Sequence, residues 1–240
     1  MHLRFIIAAI AILTSLTDLY AQPTPTLTTQ VIPKEEIEIL SHKDFSDTKH
    51  FLAIAFKAEG LQPGETYSFY ASSLKESQKF MGQWIANEEG KLPTTCEKYP
   101  DCFLINVLQN FANGEKFSFA LVPKSAPEKE LVTSIIPRPI EMKWKDGASF
   151  SIILIDNEGL FFTAKATGFQ PNEKLDFTSI SCGEKLRHPI SMDATGCLTF
   201  GMAPAVIGYK NGGNAKVIIK RKGWEKQSAS YKHGNAAKSG

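Results

Sequence analysis

Lys57-Ala-Glu-Gly-Leu-Gln-Pro-Gly-Glu-Thr-Tyr-Ser-Phe69 aligns without a gap on Lys165-Ala-Thr-Gly-Phe-Gln-Pro-Asn-Glu-Lys-Leu-Asp-Phe177, and seven of the 13 positions are identical. Two further matches follow in the same order. Asn87-Glu-Glu-Gly-Lys-Leu92 answers Asp193-Ala-Thr-Gly-Cys-Leu198, and Asn113-Gly114 before an apolar run answers Asn211-Gly212 before another. Solenoid repeats recur every 20–50 residues or so, whereas these matches lie about 100 residues apart, so the duplicated unit is a whole domain.

The repeated stretch reads as a hairpin with a buried side. Phe51–Phe56 and Leu160–Lys165 are short, aromatic-rich apolar runs bounded by turn residues, which favours strand. Pro63-Gly64 and Pro171-Asn172 are turn pairs: proline presets φ, and glycine or asparagine tolerates the left-handed position of a type II turn. Alternation then resumes, with Tyr67 and Phe69, and likewise Leu175 and Phe177, on one face. Asp156–Gly159 reads as another tight connection between strands. Strands every 8–12 residues or so, without a convincing helix, predict an all-β chain of two tandem sandwich domains. Ser73–Met81 reads as either polar loop or helical turn, and Phe103–Phe111 as strand or short helix.

The expected organisation is a signal peptide over 1–21, a Thr/Pro-rich extended lead-in over 22–33, a first domain over 34–136, a second over 137–231 and a disordered basic tail over 232–240. Pro137-Arg138-Pro139 marks the boundary, because two prolines stiffen the link. Ile37–Ile39 and Ile140–Met142 then look like equivalent first strands.

The pattern Gly-(Leu/Phe)-x-Pro-(Gly/Asn)-Glu, alternating apolar residues and a later (Asn/Asp)-x-x-Gly-x-Leu resembles the bacterial immunoglobulin-like modules of envelope and secreted proteins. The resemblance covers Lys57–Leu92 and Lys165–Leu198. It implies two immunoglobulin-like β-sandwiches serving as spacer, adhesive unit or binding platform, and transfers no catalytic residue.

Arg4 followed by the apolar run Phe5–Leu16 and a small residue at Ala21 has the layout of a secretory signal, too short to span a bilayer comfortably. A retained N-terminal anchor is the alternative. No later stretch approaches transmembrane length. Export, to periplasm or extracellular space, suits disulfides for Cys96, Cys102, Cys182 and Cys197. Of the three possible connectivities, Cys96–Cys102 and Cys182–Cys197 keep each bond within one domain.

The net charge of +2 is unevenly spread. Residues 1–120 carry 10 Lys/Arg against 14 Asp/Glu, and residues 121–240 carry 17 against 11. The excess collects in Lys210, Lys216, Lys220, Arg221, Lys222, Lys226, Lys232 and Lys238. Such a stripe either attracts an anionic glycan or envelope surface or is a solvated strand face. Few aromatics are interleaved with it, so specific nucleic-acid binding is not expected. Trp84, Trp144 and Trp224 are core residues or, where exposed, anchors for a partner, as Lys220, Arg221 and Lys222 would be.

No nucleophile elbow, phosphate-binding glycine motif or dense calcium loop is present. His42, Asp44, Asp47 and His50 cluster in sequence, but Lys43 and Lys49 oppose a metal there. No cofactor and no enzymatic activity are therefore expected. The predicted function is non-catalytic binding to a protein or anionic glycan. Two alternatives remain: a two-domain periplasmic assembly chaperone, with Lys116–Val122 as the strand offered to a client, and a hydrolase with an unfamiliar site.

Overall fold

The structure, a computed structural model, describes residues 24–32, 51–93, 102–108, 112–204 and 211–238. The signal segment, Ile37–Ile39, the His42–His50 cluster, Cys96 and Lys210 lie outside them.

In the first module, β1 (Thr26–Val31), β2 (Phe51–Glu59) and β5 (Cys102–Leu108) form a sheet of order β1-β2-β5. The facing sheet has order β4-β3-β6-β7, from β3 (Thr66–Ser72), β4 (Lys79–Ile85), β6 (Phe117–Pro123) and β7 (Leu131–Ile135). The second module repeats the plan. Its first sheet, β13-β10-β9-β8, uses β8 (Ile140–Lys143), β9 (Ser149–Leu154), β10 (Phe162–Thr167) and β13 (Leu198–Met202). Its second, β12-β11-β14-β15, uses β11 (Lys174–Ser181), β12 (Glu184–Ser191), β14 (Gly213–Arg221) and β15 (Gln227–His233). Strands β1 to β7 thus correspond in order to β9–β15, and β8 is an edge strand without a counterpart among the described residues. Both modules are immunoglobulin-like sandwiches.

Each module closes over its own aromatic core. Phe56, Phe69 and Phe119 meet with ring centroids 4.7–5.8 Å apart, beside Ile54 and Leu121. In the second module Phe150, Phe162 and Phe177 are buried with Ile152, Val217, Ile219 and Tyr231. Burying one such aromatic contributes roughly 1.5–3 kcal/mol, so the alternating inward positions carry most of the cohesion.

The two matched halves of the repeat touch each other. Leu61 N–H donates to the Gly90 carbonyl (3.0 Å), and Phe169 N–H donates to that of Gly196 (3.2 Å). Asn87 Oδ1 accepts from the N–H groups of Glu89 and Lys91 at 3.0 and 2.9 Å. Asp193 Oδ1 accepts from those of Thr195 and Cys197 at 2.7 and 2.9 Å. The Thr195 hydroxyl and these two N–H groups hold the Asp193 carboxyl below its usual range. The turn pairs behave as predicted: Glu65 N–H returns to Gln62 C=O and Glu173 N–H to Gln170 C=O, both at 3.1 Å, with φ of 74° at Gly64 and 60° at Asn172. The repeated glutamate ties this turn to the strand beyond the core. Glu65 accepts from the Ser125 hydroxyl and N–H just past β6, and Glu173 accepts from Arg221 at the end of β14.

Both chain ends differ from expectation. Thr26–Val31, read as a lead-in, is extended but hydrogen-bonded along β2 from Thr26↔Glu59 to Val31↔Ile54, with Leu27 and Ile32 buried. It is therefore an edge strand of the first module. Residues 232–238, read as disordered tail, complete β15 and a short helix α1 (Asn235–Lys238). His233 is fully buried, Gly234 N–H bonds the Gly159 carbonyl, and Ala237 packs into the second core. Of the Phe103–Phe111 segment, residues 103–108 are strand in β5 and the rest lies outside the described residues, and Lys79–Met81 begins β4.

The link Pro137–Pro139 lies between β7 and β8 and is braced by the loop before β6. Gly114 N–H donates to the Arg138 carbonyl (2.8 Å), Leu154 N–H donates to Gly114 C=O (3.0 Å), and Glu115 forms a parallel bridge with Leu154. Ala112 packs into the core of the second module, and the buried Glu115 carboxylate accepts its N–H at 2.8 Å. The modules are joined by backbone hydrogen bonds as well as by the chain.

Candidate binding face

Strand alternation sorts the basic stripe. In β14, Ala215, Val217, Ile219 and Arg221 point into the core, while Lys216 and Lys220 point out. Register places Lys216 beside Ile180 and Lys220 beside Asp176 on β11, and Lys232 of β15 beside Asn214. On the other side, Lys185 pairs with Ile180 and Arg187 with Thr178. The outer face of β12-β11-β14-β15 therefore gathers Lys174, Lys185, Arg187, Lys216, Lys220 and Lys232, all exposed, around one carboxylate, Asp176. Arg187 already pairs with Asp176 at 2.9 Å. Lys174, Lys220 and Lys222 line an open groove at one end of this face with Pro189.

The equivalent face of the first module is different. Ser68, Tyr70, Ser118, Ala120, Val122, Val132 and Ser134 occupy it, with Phe80 and Gln83 from β4. Phe80 is 56% exposed and Val132 58%, and the Phe80 ring meets Tyr70 at 5.7 Å. Duplication kept the scaffold while the two faces diverged in chemistry.

Arg221 does not belong to the basic face. Its side chain is buried and forked: Nε and Nη2 donate to the two Glu173 oxygens at 2.5 and 3.0 Å, and Nη1 donates to Asp146 Oδ2 at 2.6 Å. Phe169 and Trp224 flank the guanidinium, 5.1 and 4.7 Å from their ring centroids. Hydrogen bonds from Arg221, against an opposing effect of burial, hold the Glu173 carboxyl below its usual range. Burial pushes the Asp146 carboxyl up, but bonds from Arg221 and the Ala148 N–H outweigh it. The planar fork satisfies two carboxylates where a lysine would satisfy one.

The tryptophans divide. Trp144 is buried against Phe169 (5.3 Å), and Trp84 packs on Phe69 (5.6 Å), so neither is an exposed anchor. Trp224 is 39% exposed but stacks on the structural Arg221. The Asp156–Gly159 loop has a structural use, since Asp156 Oδ1 accepts from the N–H groups of Leu160 and Phe161, both at 2.9 Å. Among the described residues, no three His, Cys, Asp or Glu side chains gather as metal ligands, and no helix is long and apolar enough to cross a membrane. β6, considered as a client-templating strand, is hydrogen-bonded on both sides, to β3 and β7.

The Cys182–Cys197 disulfide is not formed; both thiols are free. Cys197 lies in the turn held against Phe169, next to the start of β11, while Cys182 follows its last residue, Ser181. Eight strand residues at about 3.4 Å each separate those ends, far beyond the roughly 7 Å limit for bridged Cα atoms. Cys102 opens β5, and its expected partner Cys96 lies outside the described residues. Cys182 instead meets His233, with Sγ 3.7 Å from Nε2, and Ser181 Oγ is 3.0 Å from the same nitrogen. Sequence separation hid this cluster, because it needs the pairing of β11 with β14 and of β14 with β15.

No family model matches the chain, and no curated protein matches it. Among solved structures, a tetra-tandem repeat from the extending region of a large adhesion protein is 11% identical with a TM-score of 0.26, covering 89% of this chain and 50% of that one. A two-domain fibronectin type-III segment from chicken tenascin is 14% identical with a TM-score of 0.25, covering 88% and 98%. A Ca2+-stabilized adhesin that helps an Antarctic bacterium reach out and bind ice is 12% identical with a TM-score of 0.25, covering 87% and 48%. The chain thus spans about half the length of the two adhesion structures, and its immunoglobulin-like class rests on strand order and the two cores.

Proposed function

We propose that this chain is an exported, non-catalytic binding protein of the cell envelope or extracellular space, whose second module holds an anionic glycan on the outer face of β12-β11-β14-β15. The supporting observation is the segregation of six cations around one already paired carboxylate, on a face whose counterpart in the first module carries hydroxyl and apolar side chains. Neighbouring strands lie about 4.8 Å apart, so cations of adjacent strands fall within one Debye length of about 10 Å and act together on an extended polyanion. Export rests on the Arg4 to Ala21 segment.

Heparin, as a sulfated polysaccharide probe, tests the reading by calorimetry at low salt. A lysine beside an anionic surface contributes about 1 kcal/mol, so Lys216→Glu with Lys220→Glu should weaken binding at least about tenfold. Unchanged affinity, or binding insensitive to salt, would refute the proposal. Capture of a folded protein with no affinity for heparin would favour a protein partner instead.

A further inference from the structure

At the end of β11 opposite the basic groove, Ser181, Cys182 and His233 come together. Ser181 and Cys182 close the β11–β12 hairpin, whose two-residue loop is Cys182-Gly183, with Ser181 paired to Glu184. Both loop residues have positive φ, 50° at Cys182 and 83° at Gly183. That geometry favours asparagine, aspartate or glycine at the first position, so a cysteine there occupies backbone it would normally avoid. Strained residues of this kind concentrate at functional positions.

The side chains are arranged in a definite donor order. The Ser181 hydroxyl donates to the Pro204 carbonyl at 2.6 Å, which leaves its lone pairs facing His233 Nε2 at 3.0 Å. Nε2 therefore carries the imidazole proton, and Cys182 Sγ lies 3.7 Å from the same N–H. His233 has no exposed surface, and its Nδ1 meets no partner among the described residues. Burial pushes the ring's proton affinity down, so it faces the sulfur as a neutral donor at neutral pH. Cys182 itself is half-buried at the hairpin tip and open to solvent on one side.

We propose that Cys182 is a reactive thiol, held by the His233 Nε2–H, that exchanges with low-molecular-weight disulfides to form a mixed disulfide. The thiol proton leaves to water, and the thiolate accepts the imidazole N–H. Sγ then attacks one sulfur of the disulfide, a new S–S bond forms as the old one breaks, and the departing thiolate takes a proton from water. The disulfide is the only co-reactant, and each sulfur changes partner without net oxidation of the pair.

Cys197 supplies an internal control. It is also half-buried, but among the described residues its sulfur's hydrogen-bond partner is the Thr195 carbonyl, at 4.0 Å. The whole chain would be incubated with oxidised glutathione at pH 7 and the adducts followed by peptide mass spectrometry. Cys182 should be glutathionylated at least about tenfold faster than Cys197, because the His233 Nε2–H lies within reach of its sulfur whereas a carbonyl faces that of Cys197. Equal rates, or faster reaction at Cys197, would overturn the proposal. In a His233→Gln chain that keeps the wild-type circular dichroism, the Cys182 rate should fall to that of Cys197; an unchanged rate would also overturn it. If that variant does not fold, the two-site comparison in the unaltered chain decides alone.

Discussion

Gly196→Ala should destabilise the second module by about 3 kcal/mol. Gly196 sits at φ +76°, and a Cβ built there lies 2.0 Å from the Phe169 carbonyl oxygen and 2.9 Å from its carbon. Relief requires opening the contact by about 1 Å, because Cβ atoms do not approach other heavy atoms closer than about 3 Å. The opening removes the Phe169 N–H to Gly196 C=O bond and loosens the Asp193–Cys197 turn behind it. Two hydrogen bonds account for about 2 kcal/mol and the left-handed backbone for about 1–2, while the reduced freedom of unfolded alanine returns about 0.5. Urea unfolding read from Trp144 and Trp224 in a Trp84→Phe background would report it. With an m value of about 2 kcal/mol/M, the midpoint should fall by about 1.5 M. Gly223→Ala is the control: its φ is +77°, but no atom lies within 4 Å of the added Cβ. If Gly196→Ala costs no more than Gly223→Ala, the repeat is not a structural clasp.

Gly90→Ala in the first module, where the Cβ would meet Leu61 O at 2.5 Å, should lose less, about 2 kcal/mol, in the same assay read from Trp84. Arg221→Met should lower the urea midpoint of the second module, since it removes the guanidinium that pairs Glu173 and Asp146 and leaves them only backbone N–H donors; an unchanged midpoint would mean the pairing is worth little. Stability should fall with acid in two stages. His233 has a depressed folded value, so its contribution is full above the unfolded value of 6.5 and is lost as pH falls through the folded one. Asp146 and Glu173, also depressed, add a second loss below about 4.5, which Arg221→Met should reduce; a stability flat from about pH 7 to 4.5 would contradict the first stage, and one flat from about pH 4.5 to 2 the second.

What the sequence disclosed was turn chemistry. Gln-Pro-(Gly/Asn)-Glu and (Asn/Asp)-x-x-Gly are local instructions, and both copies fold as they read. The hidden features depend on partners far along the chain. Thr26–Val31 looks like a linker because its hydrogen bonds go to β2, some 30 residues away. The last residues look disordered by composition, yet the alternation Ala229, Tyr231, His233 continues the inward face of β15. The same alternation in Ala215–Arg221 already placed Arg221 opposite Lys216 and Lys220. Reading β14 by face rather than by charge would have separated the buried ion fork from the binding surface. The Cys182–His233 contact had no such signal, because two sheet registers create it.

Lysine acetylation footprinting of the whole chain, with and without heparin, tests whether the outer face of β12-β11-β14-β15 is the glycan-binding surface. Protection is expected at Lys174, Lys185, Lys216, Lys220 and Lys232, with Lys79 and Lys143 labelled equally in both samples. Uniform labelling, or protection centred on lysines of the first module, would contradict it.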